Sequence, residues 1–177
     1  METQLVYDKA HLSLGETMRL VRSILVIALA ITLSACASGS VTVLEPSTTP
    51  AGTLKTLRIE SGTDTVTIPA DARAHFEKRL NEYLLAPKSK FTAGNDLTLR
   101  YRFIQFDEGS RALRYIVGFG AGKGKMTAEI VFLDKDQKQL AKVNVEGEIS
   151  MGFFGGDFDQ AISLAARQVA DYTLKNF

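Results

Sequence analysis

The sequence is poor in the residues that most often carry chemistry. Its 177 residues include one cysteine and two histidines. One cysteine cannot close an intramolecular disulfide, nor can it supply a four-cysteine zinc site. Two histidines cannot build a three-histidine metal centre. An excess of one charge is missing as well: 21 Lys and Arg stand against 20 Asp and Glu, for a formal charge of +1. Nucleic-acid binding calls for a basic excess and a solvating tail for an acidic one, and neither is present. No apolar run approaches the roughly 20 residues that cross a bilayer as a helix. No internal repeat of roughly 20 to 50 residues is seen, which argues against a solenoid or propeller. Hydrophobic residues still make up 45% and charged residues 23%, a balance that suits one globular domain.

The N-terminal part reads as an address. Arg19 and Arg22 form a short positive region, followed by the apolar run from Ile24 to Leu33 and then Leu33-Ser34-Ala35-Cys36. The run is too short to span a membrane and fits the apolar core of a secretory signal peptide, roughly 7 to 15 residues long. The closing residues resemble the bacterial lipobox, a Leu and two small residues before a Cys. Small residues let a peptidase close on the extended backbone, and a thiolate is the nucleophile that accepts a diacylglyceryl group. A buried Cys after an unprocessed core helix is the plain alternative.

The lipobox resemblance implies cleavage between Ala35 and Cys36, lipid attachment at the Cys36 sulfur, and acylation of the new amine by a fatty acid such as palmitate. Two or more chains hold a protein stably in a membrane where one does not. Ala37 stands where an Asp would signal inner-membrane retention, so the expectation by analogy is the periplasmic face of the outer membrane of a Gram-negative bacterium. Residues 1–17 include Glu2, Asp8 and Glu16, acidic residues out of place before a signal core. Met18 reads as the start, with 1–17 an untranslated extension or else an unusually long signal. The signal peptide then covers 1–35 and takes no part in the fold.

Residues 36–53 are rich in Ser, Thr, Pro and Gly, with Pro46 and Pro50 inside, and predict a lipidated Cys and a flexible tether. The folded domain is expected over 54–177. Leu54 to Glu60 predicts a strand, and Ser61 to Asp64 a turn. A helix from Asp71 places Phe76, Leu80, Tyr83 and Leu84 on one face, and Pro87 ends it. Leu97, Leu99, Tyr101 and Phe103 alternate with polar residues as in a half-buried strand. Met126 to Phe132 and Ala141 to Ile149 repeat that alternation on either side of the polar turn 134–138, which predicts an antiparallel hairpin. A last helix carries Ile162, Ala165, Val169 and Tyr172 on one face, with Asp157 as its cap. The order strand-helix-strand-strand-strand-helix implies an α+β fold: an antiparallel-rich sheet of about four strands with two helices packed on one face.

Gly118, Gly120, Gly122 and Gly124 fall on alternate positions. In a strand they would share one bare face, open to close approach by a backbone or ring. Nucleotide fingerprints fail on spacing: Val117 stands where a phosphate loop needs its first Gly, Gly124 follows Gly122-Lys123 in place of Ser or Thr, and Lys123 stands where a Gly-x-Gly-x-x-Gly run needs its third Gly. Close packing inside the sheet remains, beside a partner-binding edge with Arg111, Arg114, Lys123 and Lys125 supplying positive charge. Phe153 and Phe154, set between Gly152 and Gly155-Gly156, read either as a core plug or as a contact loop.

The run Gly118 to Gly122, the later Gly152-Phe153-Phe154-Gly155-Gly156-Asp157 and the closing Val169-Ala170-Asp171-Tyr172 and Asn176-Phe177 resemble a bacterial lipoprotein family, the domain of unknown function 4410. The resemblance implies an envelope location and carries over no catalytic residue.

His75 reads as a solvated helix histidine, Asp134 and Asp136 as a hairpin turn, and Asp107-Glu108 as a strand end. No nucleophile elbow, metal set or cofactor motif emerges. The function expected is a lipid-anchored, periplasm-facing module that binds or assembles an unidentified envelope partner. One alternative is a small periplasmic enzyme using carboxylates gathered by the fold. Another is an oligomer formed through the glycine ladder. The partners expected are the membrane, through the acyl chains, and another envelope protein or a second copy, with no nucleic acid.

Overall fold

Alternation of apolar and polar residues dictates the centre of the molecule, since a strand sends successive side chains to opposite faces. The computed structural model describes residues 37–108, 124–149 and 158–177. In chain order the elements are β1 (Ala37–Glu45), β2 (Thr56–Ser61), α1 (Ala70–Leu84), β3 (Thr92–Ala93), β4 (Leu97–Asp107), β5 (Gly124–Asp134), β6 (Gln139–Ile149) and α2 (Phe158–Asn176). They form a six-stranded sheet in the order β1-β6-β5-β4-β2-β3. The β1–β6, β6–β5 and β5–β4 pairs are antiparallel, while β2 runs parallel to both β4 and β3.

The expectation of about four mostly antiparallel strands is therefore corrected to six, with a parallel pair of ladders at one side. One added strand is β3, two residues that only their pairing to Thr56 and Leu57 defines. The other is β1, within the stretch expected to be a flexible tether. Its run Ala37-Ser-Gly-Ser-Val-Thr-Val-Leu-Glu45 has few apolar residues, as a linker does. Yet Val41 and Val43 alternate with Ser40 and Thr42, and Val41 lies opposite the buried Val145 of β6. An edge strand with one half-covered face needs no more than that.

Both helices lie on the same face. Tyr101, Phe103, Ile130, Ala128, Val143 and Val145 occupy linked register positions and are buried. Phe76 of α1 stands edge-on to Tyr101 and Phe103, with ring centroids 5.3 Å and 5.2 Å away. Of the predicted stripe of α1, Phe76, Leu80 and Leu84 are buried, joined by Ala72, while Tyr83 is half-buried. On α2 the buried stripe is wide and lined by small residues: Ala161, Ile162, Ala165, Ala166, Val169, Ala170 and Thr173. It approaches closely because Gly147 of β6 and its cross-strand partner Gly39 of β1 carry no side chain. A Cβ on Gly147 would sit 2.0 Å from the Ala161 carbonyl oxygen.

Phe177 is fully buried against Phe132, centroids 4.8 Å apart, and seals the far end of the core. The hairpin turn between β5 and β6 is built as expected: Asp134 Oδ1 accepts from the backbone N–H groups of Asp136 (2.8 Å) and Lys138 (2.9 Å). Among the described residues, no helix is long and apolar enough to cross a membrane.

Candidate functional site

The sheet face opposite the helices is a ladder of charged side chains. The same alternation that buries Leu99, Tyr101 and Phe103 turns Arg100 and Arg102 outward, and it treats Glu129, Lys142 and Glu146 likewise. At its centre Glu129, with only 12% of its side chain exposed, accepts from Arg102 Nε at 2.8 Å and pairs with Lys142 Nζ at 2.9 Å. Burial pushes its pKa up, but the hydrogen bonds and charges of Arg102 and Lys142 outweigh burial and hold the carboxyl below its usual range. Toward one edge Glu60 takes Arg100 at 2.9 Å and Arg58 at 2.8 Å, and Arg100 also donates to Gln137 Oε1 at 2.9 Å. Toward the other, Lys125 pairs with Glu146 at 2.8 Å.

A second polar cluster sits where β2 ends, between α1 and β4. Arg73 pairs with Asp64 and donates to Ser61 Oγ at 2.8 Å. Asp64 also accepts from the Phe103 backbone N–H at 2.9 Å. The fully buried Tyr101 donates its hydroxyl to Glu77 Oε1. Burial first, and then the bond to Glu77, push the tyrosine pKa up to about 12. Two carboxylates thus converge across Arg73 and Tyr101, the kind of arrangement an enzyme using gathered acids would need. Each acid already has partners within the cluster, which ties the 62–65 turn and α1 to β4.

The residues singled out from the sequence are placed as follows. Lys125 is on β5, in its ion pair with Glu146. Gly124, last of the glycine ladder, opens β5 and is packed closely: a Cβ there would meet the Phe158 ring at 2.6 Å. Ala35, Cys36, Arg111, Arg114, Lys123, Phe153, Phe154, Asp157 and Gly118 to Gly122 lie outside the described residues. His75 is corrected from a solvated position to the helix–helix contact, with Nε2 2.9 Å from Ser163 Oγ of α2. Asp136 is exposed in its turn, with a neighbouring ion pair to Lys135 at 2.7 Å. Among the described residues, no three His, Cys, Asp or Glu side chains gather so as to hold a metal ion.

Sequence reasoning passes over Asp64, which reads as a turn residue, and Tyr101, which reads as core. The alternation points Arg100, Arg102, Glu129 and Lys142 outward but cannot pair them, because pairing depends on strand order.

No curated protein matches the sequence. Among solved structures the chain is similar to PelC from Paraburkholderia phytofirmans. In the dodecamer crystallised in space group P6 the likeness covers 78% of this chain and 98% of that one, at 11% identity and a TM-score of 0.51. For a single-substitution variant of the same protein, also a dodecamer, the figures are 78%, 98%, 11% and 0.47. A candidate lipoprotein from Caulobacter crescentus CB15 is matched over 66% of this chain and 87% of its own, at 12% identity and a TM-score of 0.42. The P6 dodecamer chain supports a shared fold at that identity, and nothing finer. The family described as domain of unknown function DUF4410 matches residues 60–152, just over half of the chain. The matched stretch runs from the end of β2 through β6 and holds both polar clusters except Arg58; the chain belongs to the DUF4410 family.

Proposed function

We propose that this chain is a lipid-anchored envelope protein that faces the periplasm and serves as a binding or assembly module. One observation carries the non-catalytic part of that reading. The convergent group Asp64, Arg73, Glu77 and Tyr101 is occupied with itself, holding a turn and a helix to the sheet. Catalytic carboxylates are poised toward a substrate, whereas these are spent on structure. Anchoring is supported by the order of positive residues, apolar run, small residues and Cys36 in the sequence.

Self-association is the partner choice best supported, since the PelC chain of similar fold assembles as a dodecamer. The described ends of the sheet favour one end for contact. Ala37 pairs with Ile149, which pairs with Gly124, and Asp107 pairs with Lys125. Phe106 and Phe158 stack edge-on nearby, 5.0 Å apart. β1 begins, β4 ends, β5 begins and β6 ends at that end of the described sheet.

The test is radiolabelled palmitate fed to cells that express the full chain. The wild type should carry label and sediment with the outer membrane, while Cys36→Ser should lose both label and sedimentation. Equal labelling of the two would overturn the anchor. A detergent-extracted wild type of strictly monomeric mass would overturn self-association.

A further inference from the structure

Among the described residues, strand β1 is an unpaired edge. It is nine residues long and hydrogen-bonds to β6 on one side, while in the described sheet no strand lies on its other side. Natural edges of that length are usually blunted by Lys, Pro or a twist. Between Ala37 and Leu44 there is no charged residue and no proline. The one irregularity, a bulge between Val43 and Glu45, comes at the end and leaves Ala37–Val43 regular. Among the described residues, the exposed large hydrophobics are Val43 (48%) and Leu44 (46%), both on this strand.

We propose that β1 is the seam by which two copies of this chain join, pairing antiparallel about Ser40 into one continuous sheet. The inference rests on the self-association reading above and names its surface. The strand is complementary to itself. Laid antiparallel on a copy with Ser40 opposite Ser40, Val41 of each faces Gly39 of the other on the helix side. Val43 reaches position 37, the large residues of one half meeting the small residues of the other. On the opposite face Ser38 meets Thr42, and hydroxyl pairs of this kind stabilise cross-strand neighbours. No like charges meet, because the paired span has none.

The opposite side of the sheet cannot serve in the same way. It ends in the two residues of β3 beside a β2 that carries Arg58 and Glu60. Pairing through one patch shared by both copies gives a closed dimer, which can itself be a unit of a larger assembly. The two Ala37 residues would lie about 20 Å apart along the seam, at about 3.4 Å per residue. Both anchors could then enter one leaflet.

Directly opposite residues in an antiparallel pair have Cα atoms about 4.5 to 5.5 Å apart, within range of a disulfide. The experiment introduces Ser40→Cys into the full chain and treats envelope membranes with a mild oxidant. A disulfide-linked species of twice the monomer mass is expected. It should be absent from Lys78→Cys on the exposed face of α1, and from Ser40→Cys combined with Val43→Lys, which places a charge on the edge. Wild type serves as the thiol control, because a lipidated Cys36 cannot oxidise; a linked wild-type dimer would show a free Cys36 and overturn the anchor instead. If Ser40→Cys stays unlinked while membrane-extracted wild type is multimeric, the seam is wrong and assembly uses another face. If wild type is monomeric, both readings fall together.

Discussion

Replacing Gly147 with Ala tests how α2 is seated. The added Cβ would lie 2.0 Å from the Ala161 carbonyl oxygen and 2.8 Å from its carbon. Ordinary contact begins near 3.4 Å, so the helix backbone would have to retreat by about 1.4 Å, the difference between 3.4 Å and 2.0 Å. It has little room to do so, because Ala161, Ile162, Ala165 and Ala166 are buried around that point. Overpacking of this kind costs roughly 1 to 3 kcal/mol. The lost flexibility of Gly returns roughly 0.5 to 1 kcal/mol. A net loss of about 1 to 2 kcal/mol is expected, which at about 4 °C per kcal/mol lowers Tm by roughly 4 to 8 °C.

Gly39, paired with Gly147, is the internal comparison. Its Cβ would meet Gln168 Cγ at 2.9 Å, the stem of a flexible side chain that can swing away. Gly39→Ala is therefore expected to stay within about 0.5 kcal/mol of wild type, as the clash and the chain-entropy gain nearly cancel. Thermal unfolding of the full-chain variants, followed by circular dichroism, measures both. A Gly147→Ala protein as stable as wild type, or a Gly39→Ala protein that loses more, would refute the close-approach argument.

Two further outcomes follow from the polar clusters. Tyr101→Phe leaves the Glu77 carboxylate without its buried donor and should lower stability by about 1.5 to 3 kcal/mol, read as a drop in the urea midpoint with unchanged slope; an unchanged midpoint would show that the bond contributes nothing. Stability should also fall at both ends of the pH scale. Tyr101 is raised to about 12, so its contribution is complete below its unfolded value near 10 and fades as pH rises toward 12. Glu129 is lowered, so its contribution is present above its ordinary value near 4.5 and fades as pH falls through the folded value. In Tyr101→Phe the alkaline loss should shrink, and in Glu129→Gln the acid loss should. Denaturation profiles in which neither variant changes its limb would contradict these assignments.

Much of this architecture is legible as local periodicity. Leu97 to Phe103, Met126 to Phe132 and Ala141 to Ile149 each alternate over enough residues to define a buried face. Phe76, Leu80 and Leu84 do the same at helical spacing. What escapes is set by partners distant in the chain. β1 resembles a linker because it opens on Ser38, Gly39 and Ser40, and only pairing with β6 makes it a strand. β3 exists through its register with β2. The parallel β2–β4 ladder follows from where α1 returns the chain, which no local run of residues encodes. His75 looks solvated for the same reason: Asp71, Lys78 and Arg79 lie one helical turn from it, but Ser163, far along the chain, lies against it. Asp64 looks like a turn former and is one; its carboxylate also reaches the Phe103 amide across the core's rim. The outward charges of the ladder are visible singly, and their neutralisation emerges once three strands stand side by side.

The place where β1 begins would decide how far the domain could roam if it is anchored at Cys36 as proposed. Seventeen disordered residues between anchor and domain would give a leash of about 23 Å, taking roughly 5.5 Å times the square root of the residue number. With β1 starting at Ala37, the anchor proposed at Cys36 would leave as slack a single peptide link of about 3.8 Å. Held that short, the domain would tilt and spin beside the bilayer without exploring the periplasm, and whatever it meets would have to arrive along the membrane surface.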